Sequence, residues 1–268
     1  MSSASDERGS AALLGPHGFL GVVGAATRLY RRNIGRLLRP YLTFTLGISM
    51  LTSLAQTFLV DGGRAGVGPA LVSFVSLLLF VFGASVLAST AAVVMTDDLA
   101  DRTTAGWQAG ARLKRVRIPL AIAAIYSAMI IGALAFLPVL GFILFLPLFL
   151  GPPILAQVIA IEGAPTPEAL PRSRFLLAGH TVRVFGYLVS ICLGWSLANF
   201  LVTTIVLLPG GALSEGGQRV ASGVVSGVVL GLLLPWLAAA ALACYLDLRV
   251  RKDDLDLATL RRERPAQP

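Results

Sequence analysis

Five stretches of the chain carry no charged side chain, and each is long enough to cross a lipid bilayer. They cover residues 40–60, 65–96, 118–161, 184–214 and 220–246. A charge-free apolar run of about 20 residues is typical of a transmembrane helix, because the hydrocarbon core is about 30 Å thick and each helical residue rises about 1.5 Å. These unbroken runs therefore predict spanning helices, not the short amphipathic helices of a soluble domain.

The third run, residues 118–161, is too long for a single span. The stretch LPVLG at residues 137–141 lies near its middle and supplies a turn. Splitting the run there brings the predicted number of spans to six, at about residues 41–60, 71–95, 118–137, 141–161, 184–208 and 222–246. The expected fold class is therefore all-α, a polytopic membrane protein with six transmembrane helices.

An amphipathic stretch precedes each pair of predicted spans. The three stretches read GVVGAATRLYRRNIGRLL, TTAGWQAGARLK and PTPEALPRSRFLLAG, and Arg39, Arg117 and Arg183 lie where the spans begin. Helices of this kind lie in the membrane interface, with arginines at the headgroups. The pattern predicts three hairpins, each preceded by a cytoplasmic interfacial helix. The alternative is that no repeat exists, because any multi-span protein has basic residues beside its helices.

Composition and charge agree with a membrane protein and predict its orientation. Hydrophobic residues make up 56% and charged residues 13%, with a mean hydropathy of +0.79, whereas ordinary soluble domains are about a quarter charged. Cytoplasmic loops keep Lys and Arg, and of 22 such residues only Arg64 and Arg219 fall in loops on the other side. Both termini are therefore predicted to be cytoplasmic. Residues 1–15 are expected to be a disordered tail, 16–250 the membrane domain and 251–268 a basic tail.

The arginine bias favours a bacterial plasma membrane, since Lys114 and Lys252 are the only lysines among the 22 basic residues. The net charge of +8 is explained by anionic headgroups, which attract each basic residue near the surface by about 1 kcal/mol. No nucleic-acid motif accompanies these residues. The expected partners are an anionic bilayer and a membrane or cytoplasmic protein, not nucleic acid.

Two segments, IEGAPTPEALPRSRFLLAGHTVRV and CYLDLRVRKDDLDL, carry a family resemblance. They resemble the closing half of the glycerophosphoryl diester phosphodiesterase membrane-domain family and its uncharacterised prokaryotic six-helix relatives. The matching positions are Glu162, Gly163, Glu168, Ala169, Leu170, Arg172, Ser173, Leu176, Gly179, Arg183, Tyr245, Asp247, Leu248, Arg249, Val250, Arg251, Lys252 and Asp256. The resemblance covers roughly the last 110 residues and implies six helices and membrane residence. It does not imply hydrolysis, because the family's soluble phosphodiesterase domain has no counterpart in this sequence.

A candidate charge cluster lies at the cytoplasmic face. Its members are Glu162, Arg183, Asp247, Arg249 and Arg251. An acid at the centre of a span costs about 2.5–3.5 kcal/mol, so an acid at its end is expected to be paired or solvated. One hypothesis is that Asp247 and Glu162 pair with Arg183, Arg117 and Arg39 and lock the hairpins together. The alternative is that Asp247 is a solvated interfacial acid.

The fourth predicted span contains Pro147, Gly151, Pro152 and Pro153 near its centre. Proline removes a backbone donor and clashes with the preceding turn, so a kinked or broken helix is expected. Broken helices at the midplane often line transporter binding sites. Proline also occurs in transmembrane helices for packing alone, and this second interpretation is preferred because no charged residue accompanies the break.

The sixth predicted span carries Gly223, Gly227 and Gly231, four residues apart. Small residues at this spacing share one helix face and allow two backbones to approach closely. The pattern predicts a helix contact. The contact could be internal or with a second copy of the chain, and internal packing is preferred.

Little in the sequence points to catalysis. His17 and His180 lie in separate segments without metal-ligand spacing, and the chain has neither a Gly-x-Ser-x-Gly motif nor a phosphate loop. No cofactor or metal is expected. The predicted function is a non-enzymatic integral membrane protein, a scaffold or accessory subunit of a membrane complex. The alternative is a transporter or binder of a lipid-like or apolar small molecule that uses the broken fourth span.

Overall fold

The computed structural model describes most of the two ends of the chain and part of its middle. The described residues are 18–61, 67–100, 151–184, 186–187 and 214–263, with single positions at 121, 125, 197, 200 and 204. Their elements are α1 Phe19–Asp61, α2 Val67–Leu99, α3 Gly151–Gln157 with the π-helical turn Val158–Glu162, α4 Thr166–Leu177, α5 Glu215–Asp253 and α6 Leu257–Glu263. No strand occurs among these residues, so the all-α prediction is confirmed.

Two helices of the described part are long and apolar enough to cross a membrane. They lie within Val72–Leu99 and Glu215–Asp253, and they contain the second and sixth predicted spans. The first predicted span lies in α1. The third and fifth spans, the beginning of the fourth and the tail 1–15 fall largely or wholly outside the described residues.

The first interfacial helix is not a separate element, and this prediction is wrong. Helix α1 runs without interruption for 43 residues and includes Pro40, so the amphipathic stretch and the first span form one helix. The physical reason is burial. Val22, Ala26, Leu29 and Leu37 are each 4% exposed or less, which places the apolar face of the stretch against the protein core. The second amphipathic stretch lies outside the described residues, whereas the third is the separate helix α4.

Helix α5 packs along α1, and α2 contacts both. The order of contacts shows that α1 and α5 are antiparallel, because Gly223 lies beside Ser53 and Gly231 lies beside Leu42. The buried core is concentrated where the first part of α1 meets the ends of α2 and α5. Among its largest members are Leu29, Met95, Leu99, Leu242 and Leu246.

Helices α3 and α4 are joined by a tight turn. Gly163 has a φ of +70°, a left-handed conformation that glycine adopts without strain. Pro165 then precedes α4 in an extended conformation. The buried side chains of α4 are Ala169, Ser173, Leu176 and Leu177. Ser173 follows Ala169 by four residues and precedes Leu176 and Leu177 by three and four, so all four form one helix face.

The predicted basic tail is partly folded against the core. Helix α5 continues to Asp253, and Asp254, with a φ of +51°, turns the chain. The Asp256 carboxylate then accepts a hydrogen bond from the Thr259 backbone N–H at 2.6 Å, as at a helix N-cap. Leu255 and Leu260 are 3% and 1% exposed. Their burial keeps α6 against the bundle.

Candidate functional site

Glu162, at the end of the π-helical turn, is the first centre of a charged cluster that joins three elements. Its carboxylate accepts a hydrogen bond from the Tyr245 hydroxyl at 2.8 Å and pairs with Arg172 Nε at 3.1 Å. Arg249 Nε lies 3.7 Å from the same carboxylate. Arg172 belongs to α4, and Tyr245 and Arg249 belong to α5. Glu162 therefore ties the fourth predicted span to both helices.

Asp253 is the second acid of this cluster. It forms an ion pair with Arg172 of α4, and it accepts a hydrogen bond from Arg249 Nε at 3.1 Å. The two acids and two arginines thus alternate in space, and each arginine contacts both acids. Such charge-assisted hydrogen bonds are roughly twice as strong as neutral ones. The Arg249 side chain is only 6% exposed, so these two acids help to compensate a nearly buried charge.

The electrostatics of Asp253 and Arg172 follow from this arrangement. Asp253 lies seven residues beyond the end of the predicted span 222–246, outside the apolar part of α5. Burial raises the pKa of Asp253, but hydrogen bonds from Arg172 and Arg249 lower it by more, and the net pKa is below the ordinary value. Burial lowers the pKa of Arg172, and Asp253 and Glu162 raise it by more. Both groups are therefore held in their charged forms.

Asp247 is buried beside this cluster, with a side chain only 1% exposed. It pairs with Arg251 Nε at 3.0 Å, one turn further along α5. An ion pair within one helix does not by itself join two hairpins, so this contact differs from the predicted lock. Of the predicted partners, Arg39 is exposed on α1, Arg183 lines a cavity together with Arg251, and Arg117 lies outside the described residues.

A second charged group, which the sequence analysis did not single out, joins α1 to α2. Asp98 lies 2.7 Å from Arg32 Nε and 3.8 Å from Arg36, and it accepts a hydrogen bond from Asn33 at 3.4 Å. The neighbouring Asp97 is fully buried. The signal in the sequence is the Asp-Asp pair directly after an apolar run, but no local rule identifies its partners on α1.

The fourth predicted span contains a buried polar residue that the sequence analysis also passed over. Gln157 is 2% exposed, and its side-chain oxygen has no hydrogen-bond partner in the described part of the chain. The π-helical turn follows it directly. Gly151, Pro152 and Pro153 begin α3, while Pro147 lies outside the described residues. The break at Pro147 therefore stays a prediction.

The three glycines of the sixth predicted span lie against α1. A Cβ added to Gly227 would be 2.9 Å from Leu46 Cα, and one added to Gly231 would be 3.0 Å from Leu42 Cα. Gly223 meets Ser53 even more closely. The Thr45 hydroxyl also donates to the Gly227 carbonyl at 2.7 Å. The structure thus uses this face for internal packing.

No group of three His, Cys, Asp or Glu side chains that could hold a metal ion occurs in the described part of the chain. No family model, curated protein or solved structure matches the chain. The arrangement must therefore be interpreted from its own contacts. What these contacts do chemically is to compensate buried charge and to fix α3, α4 and α5 relative to one another.

Proposed function

We propose that this chain is a six-span integral membrane protein with both termini in the cytoplasm. The observation that carries the proposal is a set of exposed apolar side chains on the three long helices. Leu51, Phe58, Leu79, Phe82 and Leu232 are between 42% and 77% exposed. All five fall inside predicted spans. Exposure of large apolar side chains on several neighbouring helices is costly in water and favourable in lipid.

The same proposal assigns a non-enzymatic role, as a scaffold or accessory subunit of a membrane complex. The charged groups at the end of the bundle support it, because they bond to one another and make that end a fixed platform. The outer face of α4 carries Phe175, which is 50% exposed. The Arg172 guanidinium lies 5.7 Å from the centre of its ring, and Lys252 Nζ lies 5.4 Å from it. An exposed aromatic ring between two cations suits contact with an acidic partner segment.

The resemblance to the phosphodiesterase membrane-domain family enters the proposal as a kinship of the membrane part alone. Its support is spatial. Glu162, Arg172, Tyr245 and Arg249 are separated by up to 87 positions in the sequence, yet all four belong to the pattern and lie in one cluster. The residues that match the family pattern therefore form a structural contact, not a catalytic one, and this is consistent with a shared architecture.

Purification of the chain in a mild detergent, followed by native mass spectrometry, tests the scaffold role. We expect a stoichiometric second protein with the wild type, and its loss in Phe175→Ala. Leu51→Ala is the matched control, because Leu51 is also more than half exposed but lies at the predicted lipid depth. Loss of the partner in both variants, or a wild-type chain that carries no protein, contradicts the proposal.

One observation favours the alternative function, a carrier or binder of a lipid-like or apolar molecule. Gln157 has a buried amide oxygen without a hydrogen-bond partner among the described residues, and a π-helical turn follows it directly inside a predicted span. Single π-helical turns are frequent at functional sites. The same mass spectra test it. A small molecule retained by the wild type and lost in Gln157→Leu would favour the carrier over the scaffold.

A further inference from the structure

A cavity of about 630 Å³ lies beside the segment that follows α4. The chain turns at Gly179, whose φ is +82°, and the carbonyl of His180 accepts the Val184 backbone N–H at 3.0 Å at the start of the next helical stretch. The cavity is lined by Gly179, His180, Thr181, Val182, Arg183 and, from the end of α5, Arg251. Two separate elements thus contribute one arginine each to the same space.

The cavity has a surplus of positive charge. Asp247 pairs with Arg251 at 3.0 Å and so compensates one of the two guanidinium groups. Arg183 forms no ion pair with any residue that the structure describes. His180 adds a further polar group, since its Nδ1 atom is buried and has no hydrogen-bond partner among the described residues. Among the described residues, one cation and one imidazole nitrogen therefore have no ion-pair or hydrogen-bond partner at a single cavity.

We infer that this cavity binds a phosphate group. A phosphate accepts paired hydrogen bonds from a planar guanidinium, and its negative charge would compensate the positive charge of Arg183. The His180 Nδ1 atom can donate to the same group when it carries the proton. A phosphate alone fills only part of about 630 Å³, which leaves space for the group esterified to it. The ligand is either the headgroup of an anionic phospholipid or a soluble phosphate ester.

Thermal unfolding of the full chain, purified in a non-ionic detergent, tests this inference with three probes. They are inorganic phosphate, dioctanoyl phosphatidylglycerol and dioctanoylglycerol, which has the same acyl chains without phosphate. A ligand that binds only the folded state raises Tm with concentration. We expect a rise with a phosphate-bearing probe and none with dioctanoylglycerol. A response to inorganic phosphate indicates a soluble ligand, whereas a response to phosphatidylglycerol alone indicates a lipid headgroup.

Two matched arginine variants test whether the probe binds at this cavity. Arg183→Gln is expected to raise the Kd for the active probe about tenfold or more, because a hydrogen bond between two charged groups is lost. Arg174→Gln makes the same charge change at an exposed position of α4 and should bind like the wild type. Equal affinities in these two variants overturn the inference, as does a wild type that no phosphate probe stabilises.

A second variant distinguishes a loss of binding from a loss of folding. Arg251→Lys keeps the positive charge beside Asp247, so the variant should fold. It loses the planar guanidinium, so it should bind the active probe less tightly than the wild type. Unchanged binding in Arg251→Lys would also count against the site. The inorganic phosphate experiment requires no membrane. Its outcome is therefore independent of the six-span topology proposed above, which only the lipid probe presupposes.

Discussion

Arg172 connects three elements at the charged end of the bundle. Its guanidinium contacts Glu162 at the end of the π-helical turn and Asp253 at the end of α5. The side chain itself belongs to α4 and is 27% exposed. Its two ion pairs therefore lie between exposed pairs, which contribute about 0–1 kcal/mol, and fully buried ones, whose disruption costs about 3–5 kcal/mol.

Arg172→Gln should lower the free energy of unfolding by about 1–3 kcal/mol, because two partly buried carboxylates lose their common cation. Denaturant unfolding in detergent measures the change. Arg174→Gln is the control, since Arg174 is an exposed arginine of the same helix and should cost less than about 0.5 kcal/mol. Similar losses in the two variants would mean that the ion pairs contribute nothing measurable.

The lowered pKa of Asp253 predicts how the stability of the protein depends on pH. Burial raises its pKa and two arginines lower it by more, so the folded pKa lies below the ordinary 3.8. A carboxyl with a lowered folded pKa contributes stability that is complete above its unfolded pKa and is lost as pH falls through the folded pKa. The Tm should therefore decline below about pH 4.

Asp253→Asn should lower the Tm near pH 7 and make the decline in acid smaller. A series of melting curves between pH 3 and pH 7 measures both effects. Asp254→Asn removes the same charge from an exposed neighbour and keeps a residue that tolerates a positive φ, so its acid decline should match that of the wild type. An Asp253→Asn variant with the wild-type pH profile would contradict the assignment.

The contact between α1 and α5 depends on small residues. A Cβ added to Gly227 would lie 2.9 Å from Leu46 Cα and 3.2 Å from the Thr45 carbonyl oxygen. The Thr45 hydroxyl also donates a hydrogen bond to the Gly227 carbonyl. Because the neighbouring atoms are backbone atoms, a rotamer change cannot relieve an added methyl group. The two helices would have to move apart.

Gly227→Ala should therefore destabilise the protein by about 1–3 kcal/mol. Gly47→Ala is the matched control on α1, since a Cβ at Gly47 meets nothing within 4 Å, and it should be neutral or slightly stabilising. Unfolding of the two variants in the same detergent makes the comparison. A neutral Gly227→Ala would show that the helices separate at little cost.

The full extent of α1 could not be predicted from the sequence. Arg28, Arg31 and Arg32 predicted a helix lying in the interface, ahead of the span. In the structure its apolar face packs into the core and Arg32 pairs with Asp98 of α2. Amphipathicity predicts that one face is buried, but it does not distinguish lipid from protein as the burying surface.

The molecule as a whole has two unlike ends. One end contains the buried core and the ion pairs of Glu162, Asp253 and Asp98, and the other exposes Leu51, Phe58 and Leu79. The bilayer proposed above would account for this asymmetry. The proposed six spans would place residues 64 and 139 on the periplasmic side and residues 110 and 175 on the cytoplasmic side.

Reporter fusions at these four positions test the six-span topology. Activity of a periplasmic reporter is expected at residues 64 and 139 and not at residues 110 and 175, with fusions at both termini as inactive controls. If only Val72–Leu99 and Glu215–Asp253 cross the membrane, residue 64 shares a side with the termini, and residues 110, 139 and 175 share the other. That pattern would contradict six spans.

Hydrophobic patterning alone was enough to predict a helical protein, the positions of α2 and α5 and the close packing of Gly223, Gly227 and Gly231. These features follow from local physics, since the burial of an apolar run and the size of a residue depend on nearby sequence.

The partners of the charges on different helices came only from the tertiary structure. Glu162, Arg172, Arg249 and Asp253 meet because α3, α4 and α5 pack at one end. The same packing, not the sequence, brings Arg183 and Arg251 to one cavity. An ion pair forms between whichever opposite charges the packed helices bring within about 4 Å, and side-chain spacing along one helix carries no information about which distant helix faces it.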